Sequence, residues 1–420
     1  MLGLRRARDK APSKPGPALP DGNGRGADQQ HVLALDGVRG LAILLVLLHN
    51  LEIDAPAPGL AARVFKVLST AGWIGVVLFF ALSGYLITSI LLRSRTAPRY
   101  FRNFFLRRLL RIFPLYYATL AIVLLAVPHL VRLPRWLAPE LDHQLWFWTY
   151  LSNWTIPFGR GIGGLDHLWS LAVEEQFYLV WPLVVRALAP RRLAQLALVL
   201  GAGALLFRTL VRATGSLDAM VNYYWTTPRI DALAFGALIA VAGTDQGIRA
   251  RLARWRDPLL VTTLVAVALL TLATRGFPRH HPVVDTFGYS LVGVWAALVV
   301  ARAAQIGAGG GGGSAEPAAP DWMVRGLRHP ALRWWGRYSY GIYVFHGILH
   351  HVISGWLPAW WLQPTSTGGY LVTAIAYLTA VGGLSAGLAF VSYHLFEKRF
   401  LALKSRFPAG SPGRSARSSV

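Results

Sequence analysis

The sequence contains no cysteine and few charged residues. With no cysteine among its 420 residues, disulfides, thiolate zinc sites and a cysteine nucleophile are excluded. Charged residues make up 15% and hydrophobic residues 54%, whereas soluble domains have roughly 25% charged residues. Acidic residues are especially scarce, with 19 Asp and Glu against 42 Lys and Arg, which gives a formal net charge of +23. This composition excludes a disordered chain, a coiled coil and a typical soluble enzyme.

Long apolar segments account for most of the chain. A membrane-spanning helix needs about 20 mostly apolar residues, because roughly 30 Å of hydrocarbon is crossed at about 1.5 Å per residue. A short aromatic segment at 146–157 is interpreted as re-entrant or interfacial. The sequence predicts an all-α, polytopic membrane bundle of about ten transmembrane helices, at approximately 35–53, 69–92, 112–131, 165–185, 193–211, 225–243, 258–274, 286–301, 338–357 and 370–391.

The distribution of basic residues predicts that the N- and C-termini are both cytoplasmic. In that orientation 31 Lys and Arg lie in cytoplasmic segments and 8 in outer segments, and Arg39, Arg208 and Arg229 lie within spans. This bias is the positive-inside pattern of membrane proteins. Cytoplasmic loops that face anionic lipid explain the basic excess. We expect no nucleic-acid partner, because no basic stretch forms a known binding module.

Three segments outside the spans are predicted to be flexible. Residues 1–33 form a disordered basic cytoplasmic tail that is rich in Pro, Gly and Arg. The Gly-rich stretch at 307–320 is a flexible cytoplasmic linker, and 403–420 is a second flexible cytoplasmic tail. A single transmembrane domain is predicted at 34–402, and the linker 307–320 lies within it.

Ionisable groups near the start of the domain are candidates for function, because such groups are costly within a membrane. Arg39 and His49 are ten residues apart, which places them about 15 Å apart along a helix axis and about 80° apart around it. They could serve one cavity at two depths. Alternatively, Asp36 and Arg39 form an interfacial ion pair and His49 lies at the outer interface. Arg108 and Arg111 share a helix face, where guanidinium groups bind either phosphate or lipid headgroups.

The most informative segment is DHLWSLAVEEQFYLVWP at 166–182. Its polar and aromatic side chains follow or flank one helical stripe: His167, Ser170, Glu174, Glu175, Tyr178 and Trp181. Two carboxylates, a His and a Ser within three turns have no lipid-facing explanation. They line a polar cavity, pair with residues such as Arg229, or form a structural network.

Two later segments carry further polar groups. TPRIDALAFGALIA places Arg229 and Asp231 at the outer end of a span, where an ion-pair network and ligand binding are equally open. No metal site is predicted, because the adjacent His350 and His351 lack a matching third ligand. RYSYGIYVFHGILHH gives a second continuous stripe of Ser339, Tyr343, His346 and His350.

Seven segments, in this order, resemble the bacterial acyltransferase-3 family of membrane O-acyltransferases: LDGVRGLAILLVLLH, GWIGVVLFFALSGYLI, RRLLRIFPLYY, HLWSLAVEEQFYLVWP, TPRIDALAFGALIA, GRYSYGIYVFH and SYHLFEKRF. The resemblance covers about residues 33–402. It implies transfer of an acyl group, often acetyl, from cytoplasmic acyl-CoA to a hydroxyl of a saccharide, glycolipid or cell-envelope acceptor. It also implies a multi-pass protein of the bacterial inner membrane, with acyl-CoA as co-substrate and no permanently bound cofactor.

By position, the resemblance assigns roles to individual residues. It implies that His49 is the catalytic histidine with Arg39 as its signature partner, and that Arg108 and Arg111 contact acyl-CoA. Glu174 belongs to the catalytic centre, as does the adjacent glutamate, Glu175. The residues that would bind the substrate or brace the site are His167, Trp169, Ser170, Arg229, Asp231, Ser339, Tyr343 and His346.

This chain departs from the family pattern in its first span. The spacing between Arg39 and His49 is one residue shorter than is usual in the family, so either His49 is displaced or the helix is locally distorted. Val77 occupies a position where many members carry Asp, and EKRF replaces the more usual Glu-Arg-Pro at Glu397. The alternative function is a secondary transporter or flippase, in which the polar stripes line a substrate path. An inactive relative is a third possibility.

Overall fold

In a computed structural model of the protein, residues 26–53, 55–130, 141–306, 322–358, 361 and 363–407 are described. Helices are the only regular secondary structure within these ranges, which confirms the all-α prediction. Ten of the described helices have 15 residues or more, and in chain order they are α1 (Gly26–Asn50), α2 (Ile74–Arg93), α3 (Tyr100–Leu120), α4 (Trp169–Ala187), α5 (Pro190–Thr214), α6 (Thr226–Ala242), α7 (Gln246–Ala273), α8 (Tyr289–Ala303), α9 (Pro330–Trp356) and α10 (Thr367–Ser392).

Shorter helical pieces connect these ten. The short α-helices are Gly59–Ala71, Val127–Leu130, Gln144–Trp148, Ser152–Thr155, Val221–Tyr224, Trp322–Leu327 and Lys398–Ala402. The π-helical turns are Ala121–Ala126, Val284–Gly288 and Tyr393–Glu397, and the 3₁₀ turns are Leu141–His143, Ile156–Phe158, Asp166–Leu168 and Leu403–Arg406. The aromatic segment 146–157 thus consists of short turns, none of which is long enough to span a bilayer.

Each predicted span overlaps one of the ten long helices. In the described part of the chain, seven helical runs are long and apolar enough to cross a membrane: Leu33–Asn50, Gly59–Arg93, Tyr100–Leu130, Pro190–Thr214, Gln246–Ala273, Val284–Ala303 and Thr367–Arg406. The long helices outside these runs are α4, α6 and α9. Helix α6 has only 17 residues, and α4 and α9 carry the polar stripes noted above. The total of ten spans and the cytoplasmic termini remain predictions.

Capping residues set several helix boundaries. The side chain of Asp245 accepts a hydrogen bond from the amide of Ile248 (3.0 Å) at the start of α7. At the start of α10, Ser366 accepts one from the amide of Gly369 (3.1 Å). Both bonds satisfy first-turn amides that have no partner within the helix. Helix α5 ends at Gly215, whose φ of 61° lies in the left-handed region that favours glycine.

Close helix crossings at glycine bring the predicted site segments together. A Cβ added at Gly336 of α9 would collide with the carbonyl oxygen of Asp36 in α1. One added at Gly84 of α2 would collide with the carbonyl oxygen of Leu233 in α6. Small residues at crossings allow such backbone contact in membrane bundles. The first crossing therefore sets the Asp36–Arg39 turn of α1 against the arginines at the start of α9.

The described helices extend into both predicted tails. Helix α1 begins at Gly26, inside the predicted tail 1–33, and the last turn, Leu403–Arg406, lies inside 403–420. The Arg107 guanidinium donates to the carbonyl oxygens of Lys404 (3.1 Å) and Phe407 (2.9 Å), which holds this turn against α3. The described helical residues thus begin within the predicted tail 1–33 and end within 403–420. The rest of each tail and the linker 307–320 lie outside the described residues.

Candidate active site

A cavity of about 360 Å³, here called the inner cavity, lies between α1, α2, α3, α4 and α9. Its volume is in the range of small-molecule sites. Seven predicted site residues line it: Arg39, Arg108, Arg111, Ser170, Glu174, Ser339 and Tyr343. The structure thus places polar groups from four separate sequence segments around one space, next to an apolar wall that includes Phe79, Phe80 and Leu86.

Glu174 is held by a hydrogen-bond chain that links α4 to α2. The Ser83 hydroxyl donates to Glu174 Oε1 at 2.5 Å, and the Tyr178 hydroxyl donates to Ser83 Oγ at 3.0 Å. Tyr178 lies one turn after Glu174 on the same helix face. Sequence reasoning missed Ser83, because a single serine in an apolar span gives no signal of its partner. This series of hydrogen bonds fixes the Glu174 carboxylate in the inner cavity, which Arg39 and Arg108 also line.

Ser170 and Tyr343 join the two predicted polar stripes. Tyr343 donates its hydroxyl proton to the carbonyl oxygen of His167 at 2.6 Å. Because a phenol has one proton, Ser170 is the donor in its 2.6 Å contact with the Tyr343 oxygen. Helices α4 and α9 are therefore tied together at the inner cavity.

His167 and His346 lie behind this pair and are absent from the lining of the inner cavity. His346 Nδ1 donates to the carbonyl oxygen of Tyr343 (2.7 Å), and Asn50 donates to His346 Nε2 (2.9 Å). His167 Nε2 donates to the carbonyl oxygen of Val344 (3.2 Å). The two imidazole rings lie 4.6 Å apart. His346 is completely buried and both of its nitrogens are occupied, so these histidines brace α9 in the observed arrangement.

His49 lies at the C-terminal end of α1, whereas Arg39 lies in the middle of that helix. Helix α1 is α-helical throughout Gly26–Asn50, so the shortened spacing displaces His49 and does not distort the helix. Asn50, eleven residues after Arg39, is instead about 20° from the Arg39 face. His49 is not among the residues that line the inner cavity.

A fixed set of partners surrounds His49. Its Nδ1 donates to the carbonyl oxygen of Ser69 (3.1 Å), which leaves Nε2 as an acceptor, and Arg279 Nη1 lies 3.4 Å from Nε2. Arg279 Nε also donates to His280 Nε2 at 2.9 Å. Burial, followed by the charges of Arg279 and Arg212, lowers the pKa of His280 to about 4, which keeps that acceptor neutral. In the sequence, Arg279 is marked only by being a basic residue in a predicted outer loop.

Arg229 is enclosed by aromatic rings and does not pair with the α4 carboxylates. Two of its guanidinium nitrogens, Nε and Nη2, have no hydrogen-bond partner in the described part of the protein. The face of an aromatic ring attracts a cation through the ring quadrupole. Its guanidinium carbon lies 4.3–5.9 Å from five ring centroids, those of Trp73, Phe80, Trp169, Tyr223 and Tyr289. Trp169 therefore contributes to this box and not to the cavity lining.

Asp231 forms a buried ion pair with a different arginine. Arg208 Nη1 lies 3.0 Å from Asp231 Oδ2, and the two side chains are 0% and 2% exposed. Ser290 also donates to Asp231 at 2.8 Å. The geometry matches the structural alternative that the sequence left open for this segment.

Glu175 lies apart from the cavity, although Glu174 is its neighbour. Consecutive residues on a helix are about 100° apart, and Glu175 is not among the lining residues. Its Oε1 atom is buried and has no hydrogen-bond partner within the described residues. Nor do those residues contain any group of three or more His, Asp or Glu placed to hold a metal ion.

A second cavity, here called the basic cavity, has a volume of about 600 Å³ and lies where the first turns of α9 meet the Asp36–Arg39 turn of α1. Four guanidinium groups line it, those of Arg39, Arg111, Arg333 and Arg337, together with Trp334. The basic and inner cavities have four lining residues in common: Asp36, Arg39, Arg111 and Tyr340. The two cavities therefore adjoin.

Comparison with known protein families gives a match over most of the chain. The family model of the acyltransferase domain matches residues 32–394. The chain belongs to the acyltransferase-3 family. With its apolar helical runs, it is a multi-pass membrane protein of that family, as predicted.

Individual relatives of this acyltransferase-3 chain are bacterial. It is 30% identical over 344 residues to YrhL of Bacillus subtilis, covering 76% of this chain and 48% of YrhL. It is 26% identical over 334 residues to the peptidoglycan O-acetyltransferase OatA of Listeria monocytogenes, covering 76% of this chain and 49% of OatA. The O-acetyltransferase OatA of Staphylococcus aureus is 30% identical over 222 residues, which cover 50% of this chain and 34% of that protein. The chain thus spans about half the length of the first two relatives. No solved structure matches it.

Proposed function

We propose that this chain transfers an acyl group, expected to be acetyl, from cytoplasmic acyl-CoA to a saccharide hydroxyl of the bacterial cell envelope. The observation that carries the proposal is the pair of adjoining cavities. One is rich in guanidinium groups and suits phosphates, and the other contains Glu174, Ser170 and Tyr343 around an apolar wall. The relatives named as O-acetyltransferases support an acetyl donor and, in Listeria, a peptidoglycan acceptor.

The proposed orientation places the basic cavity on the cytoplasmic side of the bacterial inner membrane and His49 toward the outer face of that membrane. This orientation follows the positive-inside rule. Acyl-CoA would enter from the basic cavity, with Arg111 on its anionic part and Arg108 further along its path. The thioester would then reach the inner cavity beside Glu174, whose position Ser83 fixes. The acceptor hydroxyl would approach from the side of His49.

His49 is proposed to act as the general base of the transfer. The bond to Ser69 holds the proton on Nδ1, so the Nε2 lone pair can take a proton from the acceptor hydroxyl once that hydroxyl displaces Arg279 Nη1, which lies 3.4 Å away. The hydroxyl oxygen attacks the thioester carbonyl carbon, a C–O bond forms and the C–S bond breaks. CoA leaves as the thiolate and takes up the proton. Because Phe79 and Tyr343 line the inner cavity and His49 does not, the acyl group or the acceptor must move between the cavity and His49 for the reaction.

Acetyl-CoA binding tests the donor half of this function. We expect isothermal titration calorimetry of the detergent-purified protein to show binding, and Arg108→Ala/Arg111→Ala to weaken it by at least tenfold, because a hydrogen bond to a charged group contributes about 1.5–3 kcal/mol. A control variant, Arg191→Ala/Arg192→Ala, removes two arginines outside both cavities and should bind normally. If the folded wild type binds neither acetyl-CoA nor longer acyl-CoA, the transporter or the inactive relative becomes the better interpretation.

Arg279 is expected to support the chemical step without affecting donor binding. Its guanidinium group beside His49 Nε2 is placed to stabilise the negative charge that develops on the carbonyl oxygen. Arg279→Ala should lower kcat by about 10²-fold, the usual effect of losing one such donor, with an unchanged KM for acetyl-CoA. The matched variant is Arg275→Ala, in the same loop and exposed. A rise in KM with kcat preserved would place Arg279 in binding instead.

A further inference from the structure

The basic cavity contains two arginines that the proposed function does not use. Arg333 and Arg337 both lie on the first turns of α9 and line this cavity of about 600 Å³. Spaced four residues apart, they share one helix face. The glycine crossing at Gly336 presses this part of α9 against α1. Two helices and α3 therefore direct guanidinium groups into one space, with Arg39 and Arg111 on the other walls.

The positive charge of this cavity is not balanced by its own carboxylates. Four guanidinium groups face two acids, Asp36 and Glu397, and Glu397 already accepts a hydrogen bond from Ser392 at 3.1 Å. In the part of the chain that the structure describes, none of the four arginines forms an ion pair with a carboxylate. The buried Nε atom of Arg333 also has no hydrogen-bond partner among the described residues. Such groups indicate a missing anion.

The shape of the site also points to a ligand with an aromatic group. Trp334 lines the cavity and remains 39% exposed. An exposed indole at the rim is a stacking surface for a nucleobase, because every base has a π-face. Arg337 beside it is exposed, which opens the cavity to the cytoplasmic side in the proposed orientation.

The spacing along α9 matches a ligand with an extended arm. Ten residues separate Arg333 from Tyr343 at the inner cavity, which is about 15 Å along the helix axis. Tyr340 and Arg111 line both cavities and mark the passage between them. A chain of four or five extended peptide-like units covers this length, at about 3.3–3.6 Å per unit. A phosphate group at Arg333 can thus be joined to a reactive group at Glu174.

We propose that the basic cavity binds the adenine nucleotide of the acyl donor, with Arg333 and Arg337 on its phosphates and Trp334 against its base. The inference rests on the proposed function, since it locates the nucleotide end of the donor used there. It also divides the arginines by role. Arg333 and Arg337 bind the phosphates, Arg111 lies at the passage, and Arg108 contacts the arm.

Calorimetry with CoA tests this assignment on the full chain in zwitterionic lipid nanodiscs. Arg333→Gln/Arg337→Gln is expected to weaken CoA binding by about 10²-fold, because each lost charge-assisted contact contributes at least tenfold. Trp334→Ala should weaken binding of CoA but not of 4′-phosphopantetheine, which has no adenine. The matched control is Arg251→Gln/Arg254→Gln, which removes the same charge at the start of α7, outside both cavities. It should bind CoA normally.

The outcomes separate this inference from the proposed function. Normal CoA binding by Arg333→Gln/Arg337→Gln, with loss in Arg108→Ala/Arg111→Ala, would overturn the nucleotide assignment and leave the donor proposal intact. A folded wild type that does not bind CoA would overturn both.

Nanodiscs of anionic phosphatidylglycerol test the other source of phosphate, a lipid headgroup. If CoA binds in the zwitterionic discs but not in the phosphatidylglycerol discs, the anionic lipid headgroup occupies the arginines and the cavity is a lipid site. If Arg333→Gln/Arg337→Gln unfolds, Arg337→Gln alone should still weaken binding by about tenfold.

Discussion

His49→Ala is expected to reduce acyl transfer by about 10²–10⁴-fold, the range for losing a general acid–base group. The Ser69 carbonyl fixes the Nδ1 proton, so the wild-type ring presents an unprotonated Nε2. Alanine cannot take the acceptor proton. Binding of acetyl-CoA should be unchanged, because His49 is not among the residues lining either cavity. The measurement is transfer of radiolabel from acetyl-CoA to peptidoglycan fragments by the protein in proteoliposomes, alongside calorimetric binding.

The control for that experiment is His129→Ala, which removes an exposed histidine at the end of Val127–Leu130 and should have no effect. Full transfer by His49→Ala at equal protein level would show that this histidine is not the base. Asn50→Ala then becomes the informative variant, because Asn50 occupies the Arg39 face and binds His346. If its loss alone stops transfer while His49→Ala is active, the functional group lies on the Asn50–His346 side.

Single segments of the sequence indicated seven of the residues that line the inner cavity. Charged and hydroxyl side chains in a lipid-embedded helix must face other protein or water, so the stripes that contain Glu174 and Ser339 had to point inward. The helical repeat then specified which neighbours share each stripe. The structure places members of both stripes around one space and joins them through Ser170 and Tyr343. Periodicity does not, however, specify which stripes meet.

Pairings between distant segments were beyond the sequence for the same reason. Ser83 and Glu174 are 91 residues apart, and Arg279 and His49 are 230 apart, so only the crossing of helices brings them together. Arg229 illustrates a different limit. Its proximity to Asp231 in sequence suggested a shared role, yet residues two apart lie about 200° apart on a helix. One enters an aromatic box and the other an ion pair.

Asp231→Ala is expected to destabilise the protein by about 3–5 kcal/mol, because it leaves the Arg208 guanidinium buried without its counter-charge. Arg208 is completely buried and lies 3.0 Å from Asp231. Its further hydrogen bonds go to the carbonyl oxygens of Thr286 and Pro228 and to the Ser290 hydroxyl; these neutral groups hold the cation in place and cannot neutralise it. The measurement is the free energy of unfolding in mixed detergent micelles, followed by loss of helical circular dichroism during titration with denaturing detergent.

Two further variants decide what this ion pair does. Arg191→Ala breaks an exposed pair with Asp245 (3.4 Å, Arg191 85% exposed), and should change the free energy of unfolding by no more than about 1 kcal/mol. If Asp231→Ala is no more destabilised than this control, the buried pair does not stabilise the fold. Arg208→Met/Asp231→Leu replaces both charges with apolar groups, which is often neutral for stability, and should recover most of the loss. Since the resemblance also assigns Asp231 to substrate binding, the transfer activity of this stable double variant is decisive. Full activity makes Asp231 structural, whereas a stable protein with a raised KM for the acceptor places it in the substrate site.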